Sequence, residues 1–401
     1  MGMMPRLAIV TGNLVRGGTT TFLLNLGGEL VRRGVPFLVV SLEKENHLAN
    51  DFIERAIPVI TLDESKLLFE DQIKIALRHL AKFEPDVVVG AHHAISCEPL
   101  RYLPSSVKRV VMLQTDDDAH IYDFISDYVA AGVVDTIVGV SETICRKIAQ
   151  RTSTSGVPVV EITHGVPVAS WPYPPRDDSR PLRILYHGRL DQPQKRVRLF
   201  PIIFQHLVQS GIPFEWTIAG EGPEREYLQM SMRGGRENQL IRFVDAVIYR
   251  DVPGLLKGQD ITLLASAYEG LPLSLLEAMG HYLVPVVSNL PSGIGQVVDR
   301  SNGILVTPEN TEGYAEGIIQ LHYDRVRLAS MSQRAHQCIR EKFSIEKMTD
   351  RWMDLLDNHR AISVWTEPKR LHPPLRQRGA WRFHPIIRPV RRWIKQRLSK
   401  R

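Results

Sequence analysis

Residues 261–288 read Ile-Thr-Leu-Leu-Ala265-Ser-Ala-Tyr-Glu269-Gly-Leu-Pro272-Leu-Ser-Leu-Leu-Glu277-Ala-Met-Gly280-His-Tyr-Leu-Val284-Pro-Val-Val-Ser288. The apolar runs at the two ends, Ile261–Ala265 and Val284–Ser288, are strands, and a helix opens near Pro272, whose fixed φ suits a first turn. Free N–H groups around Gly270, Leu271 and Leu273 then face the loop mouth with the helix dipole behind them, which makes a seat for an anion such as a diphosphate. Glu269 precedes the helix, and Glu277 points back toward the same mouth, where both can accept hydrogen bonds from sugar or ribose hydroxyls. Taken alone, two glutamates at this spacing read better as surface charges. Their surroundings reverse that preference.

The same strand and helix alternation runs outward in both directions. Before the quoted stretch come the strands Leu182–Tyr186, Glu215–Ala219 and Ile241–Val244, and earlier still Leu7–Val10, Pro36–Ser41, Pro85–Gly90, Lys108–Leu113 and Thr136–Val140, with an amphipathic helix expected over Thr20–Arg33. Each strand is short and apolar almost throughout, the pattern of parallel strands covered by helices on both faces. Periodicity stops between Val166 and Pro181, and Trp171–Pro181 reads as a stiff, exposed linker. The 401 residues therefore divide into two doubly wound, Rossmann-like α/β domains, at 1–175 and 176–345, followed by a helix over 346–360 and a basic tail over 361–401.

The spacing Glu269-x7-Glu277 resembles the signature of the GT-B fold glycosyltransferases of family 4, the group 1 retaining enzymes. His187-Gly-Arg189-Leu with Lys195 downstream is similar to that family's Gly-Arg-Leu segment and its following Lys. Ile218-Ala-Gly220-Glu-Gly-Pro223 is similar to its Gly-x-Gly-Pro turn, and Asn302-Gly-Ile-Leu-Val306 closes the pattern. The resemblance covers the second domain nearly throughout and the first more loosely. It implies two domains facing across a cleft, the first holding the acceptor and the second the nucleotide-sugar, with the 346–360 helix returning to the first. It further implies Glu269 on the transferred sugar, Glu277 on the ribose, and Arg189 with Lys195 on the diphosphate. The chemistry asks for those residue types independently, because a departing diphosphate gathers negative charge that a guanidinium fork and an ammonium can neutralise without a bound ion.

In the first domain Gly12-Asn-Leu-Val-Arg-Gly17-Gly18-Thr19-Thr20 lies between strand and helix, where backbone can approach a phosphate or sugar. It lacks the Lys of a P-loop and fails the dinucleotide G-x-G-x-x-G pattern, as does Gly220-Glu-Gly222, which has Arg225 at the third glycine. Gly17-Gly18 resembles the family's diglycine loop beside the donor phosphates, although a plain tight turn explains the pair equally well. His92 and His93 follow the Pro85–Gly90 strand at its carboxyl end and can meet an acceptor hydroxyl, or sit one buried and one solvated in a loop. Gln114 stands where the family often carries a His, and Gln296 where it usually has Glu. Asp116-Asp-Asp118 spells the D-x-D metal signature of the other glycosyltransferase fold, but acids ahead of a helix over Ala119–Tyr128 read better as capping. No metal site is expected.

Composition excludes other classes. Hydrophobic residues at 43% and charged residues at 23% are those of a globular protein, without a run apolar enough to span a membrane. Three scattered cysteines form neither a disulfide framework nor a metal clip, and no export signal is read at the start, so a cytoplasmic setting is expected. The formal charge of +6 hides an asymmetry: residues 361–401 hold 12 Lys or Arg against the single acid Glu367, a net of +11 that leaves the preceding 360 residues at −5. An acidic body argues against nucleic acid as partner. In the tail, Val390, Trp393, Ile394 and Leu398 recur at helical spacing opposite Arg391, Arg392 and Lys395, so residues 386–398 fit an anionic membrane surface, a helix packed on the body, or a solubilising tail.

The expectation is a retaining, metal-independent hexosyltransferase without cofactor. It would take a sugar from a UDP- or GDP-type donor to a hydroxyl of a glycan or lipid-linked acceptor in cell-surface polysaccharide or glycolipid synthesis. The alternative is a non-catalytic carbohydrate- or nucleotide-sugar-binding protein derived from a transferase. A nicotinamide-dependent oxidoreductase lacks its glycine fingerprint here.

Overall fold

A computed structural model describes residues 4–62, 68–91, 93–116, 119–151, 156–173, 179–232, 240–357 and 371. The chain divides into two compact units, one of residues 1–163 with the chain from Met348 onward, the other of residues 164–347. Residues 361–401, apart from Leu371, lie outside the described residues, and with them the basic segment 386–398.

The first unit is built on a seven-stranded sheet of β1 (Leu7–Thr11), β2 (Phe37–Ser41), β3 (Val59–Thr61), β4 (Val87–Ala91), β5 (Lys108–Leu113), β6 (Thr136–Gly139) and β7 (Val159–Glu161). Its order is β3-β2-β1-β4-β5-β6-β7, and every pairing is parallel. The second unit repeats the plan with six strands, β8 (Leu182–His187), β9 (Phe214–Ala219), β10 (Ile241–Val244), β11 (Ile261–Leu264), β12 (Val284–Ser288) and β13 (Ile304–Val306). They run β10-β9-β8-β11-β12-β13, again all parallel. In β1, β2, β4 and β12 every residue is buried, because helices on both faces leave no wet side. Strands β3, β7 and β13 carry no sequence expectation. Each has three residues, lies at the outer end of its sheet and is mostly half-buried, which leaves too short a run for periodicity to register.

The first long helix spans Gly18–Arg32, starting two residues ahead of the expected Thr20. It is pressed onto the sheet at Gly27, where a Cβ would lie 2.7 Å from the Phe37 ring and 3.0 Å from the Ile57 side chain. The helix Ile345–Asp357 buries Met348, Thr349, Trp352, Leu355 and Leu356 along one face. Trp352 sits 6.2 Å from the Phe22 ring, Arg351 Nη1 donates to Thr163 Oγ1 at 2.6 Å, and Asp350 pairs with Arg33 at 2.7 Å.

The segment expected as an exposed linker from Trp171 begins instead as packed chain. Val166 bridges to Ser344, and the Ala169 N–H donates to the Gly280 carbonyl at 3.0 Å. The Trp171 ring lies 5.4 Å from His281, and the Tyr173 ring 5.4 Å from Tyr282. Two large rings gain more from that contact than from water, and a proline-rich composition does not show it. None of the described helices is long and apolar enough to cross a membrane.

Adjacent glycines of the first helix test its packing. At Gly28 nothing lies within 4 Å of where a Cβ would stand, so Gly28→Ala should raise the melting temperature through a gain of about 0.5–1 kcal/mol. Gly27→Ala should lower it by overpacking against Phe37, by about 1–3 kcal/mol.

Candidate active site

Strand order reverses between β8 and β11 in the second unit and between β1 and β4 in the first. At such switch points the loops leaving the carboxyl ends diverge, and doubly wound sheets bind ligands there. Most of the residues singled out from sequence fall on these loops: 188–195 after β8, 265–272 after β11, 12–17 after β1, and His93 after β4.

Glu269 is buried, 4% exposed, which rules out a solvated surface charge. Its Oε1 accepts from Lys195 Nζ at 2.6 Å and from Ser266 Oγ at 2.7 Å, and its Oε2 from Gln194 Nε2 at 3.3 Å. Gln194 continues the chain, since its Oε1 accepts from the Arg189 guanidinium. Arg189 also pairs with Asp191 at 3.2 Å and is 62% exposed. Asp191 Oδ1 in turn accepts from the backbone N–H groups of Gln194 and Lys195 at 3.1 and 3.0 Å, fixing the loop that carries both cations. The structure thus brings together Glu269, Arg189 and Lys195, and does so through Gln194 and Asp191, which sequence reading passed over. The polar run Asp191-Gln-Pro-Gln-Lys195 between two cations was the available signal.

Pro272 immediately precedes the Leu273–Gly280 helix rather than opening it, with ψ at 118°. Its carbonyl accepts from the Leu275 and Leu276 N–H groups, while no described group accepts from the backbone N–H of Gly270, Leu271 or Leu273. Free donors at the start of a helix are what an anion seat requires.

Glu277 is 7% exposed, and its Oε2 lies 3.3 Å from His187 Nε2 at the end of β8. His281 Nδ1 donates to the Glu277 carbonyl at 2.8 Å, and burial holds this imidazole below its ordinary range, so the neutral ring is favoured. Glu277 and His281 line a cavity of about 130 Å³ with Pro167, Tyr249, Arg250, Val252 and Pro253. His187, like Gln194, was not marked as a site residue from sequence.

Gly220 has a structural reason to be glycine. With φ at +153° a Cβ there would sit 1.9 Å from the Gly188 carbonyl oxygen, and at Gly222 one would sit 2.3 Å from that of Leu190. The Gly220–Gly222 turn is backbone packed on backbone, clamped by Leu190 N–H donating to Glu221 O at 2.8 Å. Asn302 likewise builds a turn, donating from Nδ2 to the Val297 carbonyl at 2.8 Å.

In the first unit Gly17 is exposed and extended at φ 168°, with nothing within 4 Å of where a Cβ would stand, and Gly18 is the first residue of its helix. Thr19 Oγ1 donates to Gln114 Oε1 at 2.5 Å, which joins the diglycine loop to the end of β5. His93 is exposed at the N-cap of the short Ala94–Cys97 helix, its own N–H donating to Ser96 Oγ at 3.3 Å. His92 lies outside the described residues. Asp116 accepts from Tyr122 OH at 2.6 Å and pairs with Lys147. Its carboxylate is therefore engaged by neighbouring side chains, while Asp117 and Asp118 lie outside the described residues. Among the described residues no cluster of three His, Cys, Asp or Glu could hold a metal ion.

Removing Lys195 leaves the buried Glu269 carboxylate without its cation. Lys195→Met should destabilise the protein by about 3 kcal/mol, and adding Glu269→Gln should recover most of it, both read as melting-temperature shifts.

Comparison with known proteins places this site in context. The family model described as Glycosyl transferases group 1 matches residues 181–324. Glycogen synthase of Mycobacterium tuberculosis (strain ATCC 25618 / H37Rv) is 28% identical over 187 residues, 46% of this chain and 45% of that protein. UDP-Gal:alpha-D-GlcNAc-diphosphoundecaprenol alpha-1,3-galactosyltransferase of Escherichia coli is 31% identical over 170 residues, 42% of this chain and 43% of that protein. The chain thus spans less than half the length of these curated relatives. Among solved structures, Anabaena Alr3699/HepE in complex with UDP aligns with a TM-score of 0.73 at 16% identity, covering 88% of this chain and 99% of that one. A mutant form of S. aureus TarM in complex with Fondaparinux, alpha-GlcNAc-glycerol and UDP aligns with a TM-score of 0.72 at 13% identity, covering 89% of this chain and all of that one. The fold is GT-B, and its second unit matches the group 1 glycosyl transferases over residues 181–324.

Proposed function

We propose that the chain is a retaining glycosyltransferase of family 4 that moves a hexose from a UDP- or GDP-type sugar to a hydroxyl of a glycan or lipid-linked acceptor. The observation that carries this reading is the bonded series Arg189, Gln194, Glu269 and Lys195 set beside the Gly270, Leu271 and Leu273 N–H groups. A carboxylate for sugar hydroxyls, two cations and a row of backbone donors answer the parts of a nucleotide-sugar in one place. The UDP in the two solved neighbours and the diphosphoundecaprenol substrate named for the E. coli relative support the donor and acceptor classes and a place in cell-surface polysaccharide or glycolipid synthesis.

In this reading Arg189, Lys195 and the backbone donors take up the charge of the departing diphosphate, so the reaction asks for no metal or other cofactor. The acceptor oxygen bonds to the anomeric carbon on the face from which the phosphate leaves, and the acceptor proton passes to that phosphate oxygen. Configuration is retained and no enzyme nucleophile is used. Glu277, at the wall of the cavity, holds the ribose. Gly17 and Gly18 are assigned to the donor, and Gln114, His92 and His93 to the acceptor. Residues 386–398, in which basic and apolar residues recur at helical spacing in the sequence, dock the enzyme on anionic membrane next to a lipid-linked acceptor.

The first experiment is a thermal-shift panel of UDP, GDP, ADP and NAD. At 100 times the dissociation constant the cognate nucleotide should add about 2.7 kcal/mol of stability, Glu277→Ala should weaken it, and a shift with NAD alone would overturn the reading. Donor turnover should survive EDTA, whereas donor binding with neither transfer nor hydrolysis would make the chain a binding protein. Truncation after Arg360 should abolish salt-sensitive sedimentation with anionic liposomes, and unchanged sedimentation would remove the membrane role from the tail.

A further inference from the structure

We propose that His187 is a positioning residue that aims the Glu277 carboxylate and thereby sets the preference of this site for a ribonucleotide donor. The inference rests on the nucleotide-sugar reading above. Among the described residues His187 Nε2 is the hydrogen-bond partner of the Glu277 carboxylate, at 3.3 Å from Oε2. Both side chains are about nine-tenths buried, with 11% of His187 and 10% of Glu277 exposed. A buried carboxylate held by one donor keeps the orientation that donor imposes, and loses it when the donor is removed.

The tautomer follows from the surroundings. A carboxylate only accepts, so the proton of this contact sits on Nε2. His187 Nδ1 is buried and has no hydrogen-bond partner among the described residues, which suits a lone pair and not an N–H, since an orphaned buried donor is the costlier of the two. His187 thus presents a single donor, directed at Glu277, from the last residue of β8. That strand end is immobilised from the other side, because the next residue, Gly188, is packed against Gly220. Glu277 lines the cavity. With Oε2 tethered to His187, Oε1 is the atom left to accept from ribose hydroxyls, and a bound 2′,3′-diol is recognised only while the tether holds.

The test is calorimetric titration of the intact chain with UDP and GDP and with their 2′,3′-dideoxy counterparts, for the wild type, His187→Leu and His187→Gln. The wild type should prefer the ribonucleotide. His187→Leu should weaken the ribonucleotide about tenfold and leave the dideoxynucleotide unchanged, and His187→Gln, which keeps a donor, should restore most of the preference. Equal losses for both nucleotides, or a preference indifferent to position 187, would overturn the inference while leaving the nucleotide-sugar reading intact. A wild type that binds neither UDP nor GDP would overturn both. If His187→Leu does not fold, His187→Asn, too short to reach Glu277, takes its place with the same expected outcomes.

Discussion

Strands β8 and β11 are hydrogen-bonded neighbours, yet the chain runs outward from β8 toward β9 on one side and from β11 toward β12 on the other. Two loops that leave adjacent strands must therefore part, and the gap between them is the site. Everything described in the second unit hangs on that separation. The loop after β8 supplies both cations and the amide that links them, the loop after β11 supplies Glu269 and the backbone donors, and the helix behind them supplies Glu277. The glycine turn at 220–222 pins the first loop by direct backbone contact, so the cations are carried on a fixed arm. The first unit repeats the arrangement at β1 and β4, with smaller and more exposed groups at its mouth.

Within the site charge is nearly balanced before any ligand arrives. Arg189 and Lys195 are opposed by Asp191 and Glu269, each cation already in contact with a carboxylate. Such pairing holds long side chains in place and lowers the ordering cost when an anion binds. It also means that a polyanion has to compete. The backbone N–H groups ahead of the Leu273–Gly280 helix carry no opposing charge, so they form the part of the seat where attraction is not offset.

Much of the fold was legible because parallel strands buried on both faces announce themselves as short apolar runs between turn residues. Ile241–Val244 and Val284–Ser288 were bounded to the residue. Three-residue strands at the sheet ends gave no such run, and the packing of Trp171 and Tyr173 was hidden behind prolines. The Glu269 and Glu277 pair was visible through its spacing, and burial of both excludes the surface-charge alternative. Their partners were not visible, because Gln194 and His187 meet the glutamates across 75 and 90 positions of sequence. Gly220 was legible as part of a Gly-x-Gly-Pro turn, but its close approach to the Gly188 carbonyl was not.

The second unit is continuous in sequence, whereas the first is completed only by the helix Ile345–Asp357. As the chain leaves the ribosome, residues 164–347 can close their core as soon as they emerge. The first unit waits for Trp352, whose ring packs near that of Phe22. The half made first is thus finished last, and a message truncated between the two would yield a whole second unit attached to an open, apolar first one, the form a chaperone or protease would recognise.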